Sequence, residues 1–163
     1  TITTERLRVD GSGDFAALVS DCDVLLLAAD QPGEVRAWAN RACLDSATPW
    51  VDSGYHGPRA SVCAYVPWQG PCYECQWLAE HDRNRALGIE RDYRTARGGP
   101  NAVSATSAGL SGQLAAHAVI ALITGTSPVW PGRIYGVNLV APDDQYLVDD
   151  PRRPDCPACG SRP

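Results

Sequence analysis

The sequence predicts an α/β fold whose sheet begins parallel and ends antiparallel. Three observations support this class. Val24–Ala29 (VLLLAA) is a short continuous apolar run, the mark of a strand buried on both faces of a parallel sheet. An apolar period of helical spacing follows it directly. Near the other end of the sequence, β-rich stretches flank a turn sequence, as a hairpin requires. The resulting order is strand, helix, strand, helix, strand, then antiparallel strands. At 163 residues the chain is long enough for one domain with a real core.

Taken in order, Thr1–Val9 alternates and is β-branched, so it predicts a strand. Phe15–Ser20 predicts one or two helical turns. The Val24–Ala29 strand ends in Asp30. Val35, Trp38, Ala39, Ala42 and Cys43 then mark one helix face. Pro49–Asp52 predicts the next strand, broken by Ser53-Gly54, and Ala60–Val66 a further one. Pro67–Pro71 reads as a turn that delivers a C-x-x-C pair. His81–Gly99 is highly charged and has no apolar period, so it predicts a mobile surface connection. Asn101–Thr124, rich in Ala, Gly and Ser, predicts a long helix stopped by Gly125, its small residues suited to close backbone packing. Arg133–Val140 and Gln145–Val148 form the hairpin around Ala141–Asp144.

Composition narrows the function classes. Hydrophobic residues at 44% and charged residues at 20% are globular values. A net charge of −5 and a pI near 5.0 disfavour nucleic acid and anionic membrane surfaces as partners. No apolar run is expected to reach the roughly 20 residues of a membrane span, and no signal-peptide pattern opens the chain, which implies a cytoplasmic protein. All 14 basic residues are Arg, which excludes a Schiff-base lysine and a Walker-type phosphate loop. The lack of Met implies that the sequence continues upstream of Thr1.

Seven cysteines, an odd number, do not suit a closed disulfide framework. Cys22, Cys43 and Cys63 lie singly in or beside apolar segments and read as buried, inert thiols. Cys72-Tyr-Glu-Cys75 and Cys156-Pro-Ala-Cys159-Gly160 are different. Two residues between thiolates let both sulfurs reach one ion at about 2.3 Å, so the four cysteines predict a closed, structural Zn2+ site. The long interval between the pairs means that zinc would staple the end of the sequence onto its middle. Reading one pair as a thioredoxin-type redox motif is the alternative. With four thiolates present, His81 is read as a solvent-facing residue and His117 as a packing one.

The order of several short pieces resembles a known family. These are Asp23-Val24-Leu25-Leu26-Leu27-Ala28-Ala29-Asp30, Arg36-x-x-x-Asn40-x-x-Cys43, Pro49-Trp50-Val51 and Gly70-Pro71-Cys72-Tyr73-Glu74-Cys75, then the helix closing at Gly125 and the terminal Cys-Pro-Ala-Cys-Gly. From about Thr1 to Gly160 the chain is similar to the second half of ThiF-type enzymes. That family includes the molybdopterin-synthase and thiamine-biosynthesis adenylyltransferases and the activating enzymes for ubiquitin-like proteins.

The resemblance implies a Rossmann-like three-layer fold, with ATP at the carboxyl ends of the parallel strands. Asp30, with Gln31 beside it, would serve Mg2+ and the phosphates. A carboxylate just past a buried parallel strand also sits where such sheets bind ligands. Asp30 could instead cap the helix that Pro32 helps to start. Arg36 and Asn40 would contact the nucleotide or scaffold the helix start. His56 and Arg59, in the Ser53–Arg59 loop, would orient the incoming carboxylate. The implied reaction is attack of that carboxylate on the α-phosphate, giving an acyl-adenylate and pyrophosphate. The substrate would be the C-terminus of a ubiquitin-like or carrier protein, a peptide or a small carboxylic acid. No Cys lies between Cys75 and Cys156, so a thioester step is not expected. Residues 1–163 would then be the C-terminal part of the enzyme, without its N-terminal nucleotide-binding half, inactive alone and expected to form a homodimer. The competing reading is a catalytically inactive, zinc-stapled module that docks a peptide or ubiquitin-like protein.

Overall fold

The computed structural model describes residues 1–89 and 104–160. Their elements are α1 (Ser12–Val19), β1 (Leu25–Leu27), α2 (Val35–Ser46), β2 (Trp50–His56), β3 (Arg59–Tyr65), α3 (Tyr73–Ala86), α4 (Ala105–Thr124), β4 (Ile134–Asn138) and β5 (Tyr146–Val148). The strands form one sheet in the order β1-β2-β3-β4-β5. Only β1 and β2 pair parallel; every later pair is antiparallel. The sheet thus begins parallel and ends antiparallel, as the element order predicts.

Period-two alternation along β2 and β3 builds the three layers. Trp50, Cys63 and Tyr65 face a core made with Phe15, Val19, Val35, Ala39, Ala42 and Cys43 of α1 and α2. Val51, Val62 and Ala64 face the other way, against Ala115 and Ala118 of α4. Trp50 stacks on Tyr65 with ring centroids 4.5 Å apart. The α2 face matches the apolar period, with Val35, Ala39, Ala42 and Cys43 buried and Trp38 partly so.

Helix α4 starts with a capping box between Ser104 and Ser107 and stops at Gly125, whose φ is 66°. Its fully buried residues are Ser107, Ser111, Ala115, Ala118 and Ala121, small side chains that let the helix lie close to the sheet, with Leu114, Val119 and Leu122 packed at the edges of that contact. At 20 residues it is long and apolar enough to cross a membrane by length and composition, contrary to the expectation that no such run exists. In this fold that length is spent packing along β2 and β3.

Four further sequence expectations need correction. Thr1–Val9 is not a strand: it forms no ladder, and Ile2 is 93% exposed. Alternation among Thr, Glu and Arg supplies neither an apolar face nor a pairing partner. Strand β2 is not broken at Ser53-Gly54 but continues to His56, because Ser53–His56 pair in register with Arg59–Val62 of β3. The turn is Gly57-Pro58, with Gly57 at φ 57°. His81 does not open a surface connection, since α3 runs through it to Ala86. The part of that charged stretch at 90–99 lies outside the described residues. Cys22 is exposed rather than buried. Cys43 and Cys63 are buried, and burial pushes both thiols up to about 12, so they are inert at neutral pH.

Gly132 locks the turn before β4 against the segment that leads into Cys72. Its φ is 73°, and a Cβ there would lie 2.4 Å from Pro71 Cγ and from the Pro71 carbonyl oxygen. Its carbonyl accepts a hydrogen bond from the buried Gln76 side chain, which also accepts one from the Tyr65 hydroxyl. Gly132→Ala is therefore expected to cost at least about 1–3 kcal/mol, the usual range for a strained left-handed residue. A melting curve unchanged from wild type would show that the turn can relax.

Candidate functional site

Two side-chain groups stand out, and α2 lies between them. The first is the cysteine cluster. Cys72 is the extended N-cap of α3 and Cys75 lies in its first turn, so the helix start aims both sulfurs to one side. The Cys75 N–H closes that turn on the Cys72 carbonyl at 3.0 Å. In the second pair, the Gly160 N–H donates to the Cys156 carbonyl at 2.8 Å. A Cβ on Gly160 would lie 2.3 Å from the Pro154 carbonyl oxygen, so this knuckle admits only glycine at that position. Ion pairs Arg83–Asp150 and Arg153–Asp82, each at 2.6 Å, fasten the returning segment to α3.

All four cysteines are buried and their sulfurs lie within 4.8 Å of one another. The Sγ separations are 3.9 Å for Cys72–Cys75, 3.7 Å for Cys72–Cys156 and 3.4 Å for Cys75–Cys159. Four sulfurs at about 2.3 Å from a tetrahedral zinc would be spaced by about 3.8 Å. The cluster can therefore hold a metal ion with little rearrangement. The Cys72 S–H donates to Cys75 and holds that thiol well below its usual range, helped by the Arg153 N–H at 3.4 Å. Cys72 moves up in turn, and burial pushes Cys156 up to about 11. A bound cation would deprotonate the thiols that coordinate it. Cys72-x-x-Cys75 does open a helix after a strand, as a redox motif would, but its sulfurs face a second pair.

The second group sits at the carboxyl end of β1. Asp30 does not cap α2, whose N-cap is Glu34. Its Oδ1 instead accepts from an Arg36 terminal N–H at 2.9 Å. The Arg36 Nε–H points to Asp52 on β2, 3.1 Å from Oδ1 and 2.9 Å from Oδ2. Asp30 is 73% exposed at its side chain, whereas Arg36 and Asp52 are 22% and 18% exposed. Burial lowers the Arg36 pKa, but the two carboxylates outweigh it and the guanidinium stays charged. Burial raises the Asp52 carboxyl more than Arg36 lowers it.

Of the residues singled out from sequence, the structure brings Asp30 and Arg36 together. Gln31 is exposed beside Asp30. Asn40 is 1% exposed, and its Oδ1 accepts the Tyr73 N–H at 3.2 Å, tying α2 to the start of α3 beside the cysteines. His56 and Arg59 face each other at the β2–β3 turn. That is four residues beyond Asp52, about 13 Å at the usual rise of a strand. Asp52 was not read as a site residue. The signal was available: a carboxylate at the end of Pro-Trp-Val-Asp shares the Trp50 face and so points toward α2.

The ThiF family sequence model matches residues 1–158. The Bos taurus protein "Adenylyltransferase and sulfurtransferase MOCS3" is 29% identical over 146 residues, which is 90% of this chain and 30% of that relative. Among solved structures, E. coli MccB with ATP is 26% identical at a TM-score of 0.72, covering 94% of this chain and 44% of that one. E. coli MccB with MccA is 25% identical at a TM-score of 0.72, covering 95% and 45%. The chain thus spans under a third of the curated relative and under half of the solved structures.

Proposed function

The chain belongs to the ThiF family, and from that premise we propose that it forms part of an ATP-dependent adenylyltransferase that activates a carboxyl group as an acyl-adenylate. The observation that carries this reading is Asp30, an exposed carboxylate past the end of a strand in the one parallel pair of the sheet. Ligands of open α/β sheets bind in that crevice. Of its two oxygens, Oδ1 is held by Arg36 and Oδ2 has no hydrogen bond among the described residues, on a side chain that is mostly exposed. The donor set fits Mg2+, which takes one or two carboxylates and fills its remaining positions with phosphate oxygens and water. When bound, the metal would supply charge neutralisation on the phosphates as pyrophosphate leaves.

The other residues divide by place. Arg36 fixes Asp30, and Gln31 lies beside it at the proposed nucleotide side. Asn40 acts through the scaffold, joining α2 to the metal knuckle. His56 and Arg59, at the β2–β3 turn, would meet the substrate carboxylate farther along the sheet. Cys72, Cys75, Cys156 and Cys159 would hold structural zinc, closed by four thiolates and contributing folding energy rather than chemistry. The described structure contributes no Gly-rich loop and the chain no Lys, so the remaining phosphate donors would come from a nucleotide-binding half in the complete enzyme.

The substrate class follows the relatives. One was solved with MccA and another is named a sulfurtransferase as well as an adenylyltransferase. A peptide or carrier protein presenting a C-terminal carboxylate is the proposed partner. With no Cys between Cys75 and Cys156, the enzyme would stop at the adenylate and pass it to a separate nucleophile. The test is ATP–pyrophosphate exchange by the complete enzyme with a panel of such carboxylates. Exchange that appears only with a carboxyl substrate supports the proposal. Peptide or carrier-protein binding with no exchange would favour a docking module instead.

A further inference from the structure

We propose that Asp52 is a positioning residue for the metal side of this reaction: by holding Arg36 at Nε, it leaves Asp30 one carboxylate oxygen for a divalent cation. The inference rests on the adenylation reading above but is carried by geometry of its own. Asp52 takes the Nε–H edge with both oxygens, at 2.9 and 3.1 Å, so only a terminal N–H of Arg36 reaches Asp30. Asp52 is fixed by the sheet. It pairs in register with Leu27 of β1 on one side and Cys63 of β3 on the other, and its side chain is mostly buried.

Consider the group without Asp52. Arg36 remains charged and three-quarters buried, and Asp30 becomes the one carboxylate bonded to it. A guanidinium and a carboxylate prefer two parallel hydrogen bonds, which would occupy both Asp30 oxygens. A cation would then compete with a guanidinium for each of them. The charge argument has the same sign. Two carboxylates around one guanidinium leave a net negative charge at the mouth of β1, and Asp52→Asn removes it. In Asp52→Asn the buried Arg36 keeps its bond to Asp30, and the amide oxygen is still able to accept from Nε, so the fold is expected to persist.

The experiment uses Mn2+ alone as a paramagnetic probe on the zinc-loaded 163-residue chain, read by NMR broadening of the amide signals of Ala29–Arg36. Asp52→Asn is expected to need about tenfold more Mn2+ for the same broadening. Asp52→Glu should restore most of the wild-type response, and Asp30→Asn should abolish it. Zinc content and melting temperature serve as fold controls. Equal Mn2+ responses in wild type and Asp52→Asn would overturn the proposal, and so would a wild type that shows no local broadening. Pyrophosphate exchange is measured separately on the complete enzyme. If exchange is absent while the tenfold Mn2+ difference holds, the adenylation reading fails and the positioning role stands.

Discussion

Cys156→Ser and Cys72→Ser will each strip the chain of its metal and of cooperative unfolding. Purified wild-type protein is expected to contain about one zinc per chain. The sulfurs already stand at separations close to those of a tetrahedral thiolate site, and all four are buried. The second pair belongs to a segment with almost no apolar core of its own. Its cysteines pack only with Leu44, Cys72 and Cys75, and partly with Trp68 and Ala158. Few apolar contacts hold that segment, and its exposed ion pairs contribute only about 0–1 kcal/mol each. Structural zinc is typically worth roughly 10–16 kcal/mol in apparent binding energy, more than the whole stability of an average domain. Removing one ligand of four forfeits much of it. Metal analysis and thermal melting, with a strong chelator on wild type as the parallel case, provide the check. A zinc-free protein that melts cooperatively, with Cys72 joined to Cys75 as a disulfide, would contradict the expectation.

Asp30→Ala is expected to reduce ATP–pyrophosphate exchange by the complete enzyme by about 100-fold or more, the scale of losing a preorganised electrostatic partner of the transition state. Stability should hardly move. Asp30 caps no helix, and its ion pair with Arg36 is exposed on the Asp30 side, so its loss is worth about 0–1 kcal/mol. Arg36 would keep its bonds to Asp52. Zinc content should be unchanged, since Asp30 is none of the four clustered ligands. A variant that melts early but exchanges normally would make Asp30 a structural anchor and move the nucleotide site elsewhere.

What could be read from the sequence depended on the range of the interaction involved. The α2 face was legible because Val35, Ala39, Ala42 and Cys43 are all buried by one apolar stripe, a local pattern. The cysteine site was legible because each knuckle is itself local, though the meeting of the two is not. Helix α3 was not legible. Only Cys75 and Gln76 are buried along it, so no apolar period exists to be seen. What holds it are contacts with residues distant in sequence: Asn40 on Tyr73, Tyr65 and Gly132 on Gln76, the second cysteine pair, and ion pairs with Asp150 and Arg153. The continuation of β2 through Gly54 was hidden for a similar reason: cross-strand register with β3, not local propensity, carries the strand past a glycine. Asp52 was missed because its meaning depends on Arg36, sixteen positions away on another element.

The two cysteine pairs stand 84 positions apart, Cys72 against Cys156. During synthesis this spacing imposes a timetable. At roughly 5–20 residues per second, Cys75 leaves the peptidyl-transferase centre several seconds before Cys159 is made. Through that interval the first knuckle is a bare dithiol at a helix start, able to take metal only weakly and open to oxidation. A ribosome that stalls after α4 releases a polypeptide that has most of its sheet but cannot close its last ligand pair. Such a product would lack any contribution of a bound metal to its stability. With zinc in the cluster, only chains finished through Cys159 would complete its ligand set and gain the stability that the metal supplies.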